Sequence, residues 1–112
     1  MNSEKMNALR RTRYKINHIA RRIKQRQDRA AIKKKLVDHM GGKCIDCGFN
    51  ACLAALEFDH VNNDKERGIG RLLNSANWER LWREARKCEL VCSNCHKARH
   101  VARTDERLGV AA

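Results

Sequence analysis

Lys87-Cys88-Glu89-Leu90-Val91-Cys92-Ser93-Asn94-Cys95-His96 is the stretch whose reading decides the fold. Its CxxC pair, Cys92 and Cys95, has a counterpart upstream in Cys44-Ile45-Asp46-Cys47, with 44 residues between the two pairs. Two residues between cysteines let both thiolates turn toward one ion, and tetrahedral Zn²⁺ takes four such ligands. The pairs therefore predict one structural zinc held by the four cysteines Cys44, Cys47, Cys92 and Cys95. The competing reading, two redox dithiols, lacks the βαβ surroundings that thioredoxin-like chemistry uses. Cys52 and Cys88 are left over. Cys88, four residues before Cys92 in a predicted strand, reads as buried filler rather than a ligand.

A chain of this kind needs such a staple. It has 112 residues, of which 4% are aromatic and 34% charged, so it makes one domain with a small core. Met1 leads into charged residues rather than an apolar signal segment. No apolar run approaches the roughly 20 residues of a membrane span. The expectation is a cytoplasmic protein with no membrane partner, in a compartment where thiols stay reduced and paired cysteines bind metal.

Around the two knuckles the pattern predicts a small, mostly helical α+β fold. Residues 3 to about 40 read as helix, in one piece or in two with Asp28 as a second cap. Ile16, Ile19, Ala20 and Ile23, then Ile32, Leu36 and Met40, give it a narrow apolar stripe. Gly41-Gly42 ends it. Ala54 to Val61 reads as a strand by its alternation, residues 62 to 75 as a loop, and Asn77 as the cap of a helix running to about Lys87. On that helix Trp78, Leu81, Trp82 and Ala85 share a core face, and Glu79–Arg83 and Arg80–Glu84 pair on the other. Glu89 to Val91 makes a second short strand. Ser93 or Asn94 caps a last helix to about Arg103, and the end of the chain frays. The domain expectation is a basic helical arm over 1–40, a zinc-stapled body over 41–105 and a flexible tail over 106–112.

The net charge of +12 is unevenly spread: residues 1–43 carry 14 Lys+Arg against 3 Asp+Glu, the remainder 11 against 10. A basic arm on a near-neutral body points to a polyanion, with Arg10, Arg11, Arg13, Lys15, Arg21, Arg22, Lys24 and Arg26 as candidate DNA contacts. Lys97 and Arg99, in the basic run after His96, join them.

Asp59-His60 closes the first strand, and His96 and His100 stand i, i+4 on the last helix, hence on one face. A carboxylate, a neighbouring histidine and such a pair make a divalent-metal and general-base set. Cys95 and His96 point about 100° apart around the helix, so one can serve zinc while the other serves a second metal.

"CIDCGF", "LEFDHV" and "KCELVCSNCH", with the basic run that follows, resemble the HNH endonucleases with four-cysteine zinc knuckles, a family common in bacteria and their phages. The resemblance covers about Gly41 to Arg103. It implies a ββα-metal module in which His60 is the general base, Asp59 and His96 hold a catalytic Mg²⁺ or another divalent cation, and His100 matches a further metal-binding histidine of the related colicin nucleases. It implies hydrolysis of phosphodiester bonds in DNA. One position departs: Lys87 stands where the family has its middle asparagine, which braces a loop, and Asn62, Asn63 and Asn94 are alternative substitutes. Two rival readings are a catalytically silent zinc module that binds DNA, such as a phage regulator or packaging accessory, and a protein-interaction adaptor.

Overall fold

A computed structural model describes residues 3–75 and 77–110. Its elements are α1 (Ser3–His39), a 3-10 turn (Leu53–Ala55), β1 (Leu56–His60), α2 (Ile69–Leu72), α3 (Trp78–Ala85), β2 (Cys88–Cys92) and α4 (Ser93–Leu108). The result is a small, mostly helical α+β fold with one two-stranded antiparallel sheet. The chain divides into two compact units, the first ending at Ala31 and the second beginning at Ile32. Among the described residues no helix is long and apolar enough to cross a membrane.

The described residues of the first unit are helix alone. No proline or glycine interrupts it, and α1 passes straight through Asp28, which caps nothing and pairs instead with Lys24 one turn earlier at 3.7 Å. Of the two arrangements left open, one helix or two, the chain has the single helix. Ile16, Ile19 and Ile23 are more than half exposed.

The second unit begins inside the last turns of α1, nine residues before the boundary expected at 40/41. Burial explains the difference: Leu36 is 0% exposed and packs with Ile69, Leu72, Leu81 and Ala85, while Val37 joins Cys44, Leu56, Leu90 and Val91 in a second cluster. These residues belong to the body although their helix belongs to both units. α1 stops where Gly41 and Gly42 adopt φ of +101° and +75°. There the Gly42 amide donates to the Val37 carbonyl at 2.9 Å, the left-handed closure that glycine permits.

Several expected bounds shift for physical reasons. The first strand begins at Leu56, not Ala54, because Leu53–Ala55 form a 3-10 turn, and it ends at His60. The stretch 62–75 is not all loop: Ile69–Leu72 form a short helix whose Ile69 and Leu72 are buried against Leu36. Asn77 caps α3 as expected, its side chain accepting from the Arg80 amide at 3.1 Å. Leu81 and Ala85 are buried and both tryptophans pack partly against the core, with Trp78 and Trp82 stacked at 6.3 Å and Lys35 4.2 Å above the Trp78 ring. The expected surface pair Arg80–Glu84 does not form, because Glu84 turns inward and is 4% exposed. α4 runs five residues past Arg103 to Leu108, so the expected flexible tail begins inside a helix. Gly109 at φ +74° closes it, with the Val110 amide on the Asp105 carbonyl at 2.8 Å. Ala111 and Ala112, the rest of that tail, lie outside the described residues.

β1 and β2 pair over five residues, from Leu56 opposite Cys92 to His60 opposite Cys88. Since strand side chains alternate, Glu57 and Asp59 point one way and Phe58 and His60 the other. That division organises the polar chemistry of the body.

Leu36→Ala should destabilise the second unit by roughly 2–5 kcal/mol, as expected for a fully buried leucine. Ile16→Ala, at a residue 61% exposed, should change stability by no more than about 0.5 kcal/mol. Urea unfolding of the two variants beside wild type measures both.

Candidate functional site

Three clusters of chemically capable side chains lie in the second unit. The first is the set of four cysteines. The loop carrying Cys44 and Cys47 is closed by the Gly48 amide on the Cys44 carbonyl and the Cys44 amide on the Phe49 carbonyl, both at 2.9 Å. Gly48 sits at φ +81°, a conformation that other residues adopt at a cost. The Ile45 amide donates to the Leu90 carbonyl at 2.9 Å, fastening this loop to β2. Cys92 ends β2 and Cys95 lies in the first turn of α4. The sulfur of Cys92 accepts the Cys95 amide at 3.5 Å and caps α4, so neither Ser93 nor Asn94 is the cap.

The four sulfurs all lie within 4.8 Å of one another, and Cys47 and Cys92 are 3.7 Å apart. Tetrahedral bonds of about 2.3 Å to an ion give sulfur–sulfur edges of about 3.8 Å, so the arrangement fits a metal such as zinc. Burial opposes a charge on Cys44, but backbone hydrogen bonds from Cys92, Cys47 and Asp46 bring its thiol down to about 6. Cys88 contrasts with it. It packs in the other apolar cluster, outside the four-sulfur group, and burial pushes its thiol up to about 12. Cys52 is exposed and outside the cluster.

The second cluster lies between β1 and α4. His96 Nδ1 is 2.7 Å from Glu57 Oε1, and His96 Nε2 is 3.7 Å from Asp59 Oδ1. Ser93 donates to the other Glu57 oxygen at 2.7 Å. Asp59 is 2% exposed and takes Arg103 on both oxygens at 2.7 and 2.6 Å, with Arg99 on Oδ2 at 2.8 Å. Arg103, against the burial cost and with Arg99 adding to it, holds the Asp59 carboxyl at about 2. Arg99 also forks onto Asp46 at 2.7 Å and reaches Glu89 at 2.9 Å. Expected as a DNA contact, it is committed to three carboxylates instead. Lys97 is exposed, as are Arg10, Arg11, Arg13, Lys15, Arg21, Arg22, Lys24 and Arg26 of α1.

The third cluster is on the opposite side of β1. His60 Nε2 is 2.9 Å from Glu84 Oε1, and Lys87 donates to Glu84 Oε2 at 3.0 Å and to the Asp64 carbonyl at 3.2 Å. Lys87, at the position expected to hold an asparagine, is thus tied to the loop after β1. Asn63 in that loop takes a left-handed φ of +53°.

The expected catalytic set is therefore only partly assembled. Asp59 and His96 are neighbours. His60 faces α3, and His100 is exposed. Among the described residues the four cysteines form a group able to hold a metal, and Asp59, His96 and His100 form none. Glu57, Glu84, Arg103 and Asp46 do not stand out in the sequence as members of a site. Strand alternation gives the one available signal, since it puts Glu57 on the face of Asp59. Compared with known proteins, the chain matches no family model, no curated protein and no solved structure.

Cys47→Ser should lower bound metal from one equivalent per chain to near zero and unfold the second unit, because metal-binding free energy in such a small body is folding free energy. Elemental analysis together with circular dichroism checks both parts. Folded wild-type protein free of metal would contradict the assignment.

Proposed function

We propose that this chain is a metal-dependent DNA endonuclease of the HNH type, stapled by a structural zinc on four cysteines. The observation that carries the reading is the antiparallel pair β1–β2 followed directly by α4, with the four cysteines gathered at the join and Asp59 beside His96 across it. The ββα-metal module has that order, and a carboxylate next to a helix histidine is the donor pair its catalytic ion requires.

In this reading His60 takes a proton from the attacking water. Asp59 and His96, 3.7 Å apart, would hold a divalent cation such as Mg²⁺, whose chemistry there is to neutralise charge on the leaving 3′ oxygen. The exposed His100, one turn further along α4, would have to turn toward them to join. The guanidinium groups of Arg99 and Arg103 already meet the demand of Asp59 for positive charge. The zinc is structural. The exposed arginines and lysines of α1 supply phosphate contacts, which fix position and make affinity depend on salt. The setting is a bacterial cytoplasm, with the gene carried by the cell or by a phage.

A second reading has one observation in its favour. Both oxygens of Asp59 are engaged by arginine and His100 points to solvent, as suits a zinc module that binds DNA without cutting it.

Plasmid nicking across a titration of Mg²⁺ or Mn²⁺ separates the two. His60→Ala should abolish cutting by a factor on the order of 10²–10⁴ at every metal concentration. His96→Ala should also abolish it, with partial recovery at high metal, and His100→Ala should fall between His96→Ala and wild type. His60→Ala cutting as fast as wild type would remove the base assignment. No cutting by any of the four proteins would favour the silent module.

The arm has its own test. Replacing Arg10, Arg11, Arg21 and Arg22 by glutamine should weaken DNA binding. The slope of log affinity against log salt should fall by about 0.9 for each phosphate that is no longer neutralised. An unchanged slope would show that α1 does not grip DNA.

A further inference from the structure

Glu84 is unusual for a residue on the polar side of an eight-residue helix. It is 4% exposed, and its carboxylate is a meeting point of donors. Oε1 accepts the backbone amides of Glu66 at 2.9 Å and Arg67 at 3.3 Å and stands 2.9 Å from His60 Nε2. Oε2 accepts the Lys87 ammonium at 3.0 Å. Burial opposes the charge. The Lys87 bond, the Glu66 amide, His60 and the Arg67 amide together outweigh it and bring the carboxyl to about 2.

An ionised carboxylate accepts hydrogen bonds and donates none. The imidazole nitrogen that faces it must therefore carry the hydrogen. In a neutral ring the lone pair is then on the other nitrogen, Nδ1.

We propose that Glu84 is the positioning residue of His60: it fixes the ring in the Nε2–H tautomer and makes Nδ1 the atom that accepts the proton from water. This rests on the nuclease reading and deepens it by naming the reacting atom and the group that orients it. In the step itself, an O–H bond of water breaks as Nδ1–H forms. The water oxygen bonds to phosphorus, the bond from phosphorus to the 3′ oxygen breaks, and the departing alkoxide takes a proton from solvent. His60 is then an imidazolium that returns its proton to solvent. The Glu84 charge stabilises that imidazolium while it exists, as the buried aspartate does in a Ser-His-Asp triad.

Glu84 also ties the segment after β1 to α3 through the Glu66 and Arg67 amides, so a purely structural role is the alternative. The two differ in what they predict. Acting through His60, Glu84→Gln lowers kcat by about tenfold or more while KM, DNA affinity and metal content stay unchanged. The double variant Glu84→Gln, His60→Ala then cuts no more slowly than His60→Ala alone, since effects through a shared group do not multiply. A structural role instead gives losses that multiply, in step with a lower melting temperature.

A second measurement uses wild-type protein and so does not depend on the variant folding. Long-range ¹H–¹⁵N spectra followed across a pH titration, with His60 assigned by its absence in His60→Ala, should show a protonated Nε2 and an unprotonated Nδ1 in the neutral ring. A neutral ring protonated on Nδ1 would overturn the proposal, as would Glu84→Gln cutting at the wild-type rate. If wild type itself does not cut, the nuclease reading fails, and the catalytic role of Glu84 with it. The nitrogen spectrum would still decide whether Glu84 sets the ring.

Discussion

The contact on which the body depends is the approach of two sulfur pairs separated by 44 residues of chain. Closing a loop of that length costs conformational entropy, and the two small apolar clusters offer limited area to offset it. Cys44 and Cys92 are buried members of one of those clusters, so two of the four sulfurs belong to the core as well. The knuckle loop is anchored to β2 by a backbone hydrogen bond at Ile45 as well as by its sulfurs. The four-sulfur cluster and the sheet therefore support the same junction, where β2 passes into α4.

That junction brings two kinds of polar group to β1, one on each side. Toward α4, Glu57 and Asp59 meet Ser93, His96, Arg99 and Arg103, an arrangement rich in charge of both signs. Toward α3, His60 meets a single buried carboxylate whose remaining capacity is filled by amides and an ammonium. Both networks satisfy their members: among the described residues no buried side-chain nitrogen or oxygen lacks a partner. A buried carboxylate left unpaired would be strongly destabilising. The polar interior is thus paired on both faces of one five-residue strand.

Much of this was legible in the sequence because it depends on short-range pattern. CxxC spacing predicted the four-sulfur cluster, Gly41-Gly42 the end of α1, Asn77 a cap, and the tryptophan helix its core face. The readings that failed concern partners distant in sequence. Glu84 reads as one half of a surface pair with Arg80, and only the fold reveals that His60, 24 residues earlier, claims it. Arg99 reads as a phosphate contact in a basic run, but Asp46 and Asp59 lie 53 and 40 residues away and take it first. Ile69 and Leu72 sit among glycines and charges that read as loop, and Leu36 on a remote helix makes them core. Cys92 displaced Ser93 and Asn94 as a cap because sulfur can accept an amide hydrogen bond, a possibility that the usual preference for oxygen obscures.

The alternation along β1 also bears on which changes of chain length the protein can survive. Substitutions in the strand alter one contact each. Inserting or deleting one residue between Glu57 and Asp59 would turn every side chain beyond it to the opposite face. His60 would then point at the arginines of α4, and Asp59 at Glu84. The segment from 62 to 68 carries no such parity, since it leaves the sheet before α2 begins. Natural variation in length is therefore expected to accumulate after His60 and to be absent from Leu56–His60, whatever reaction the chain performs.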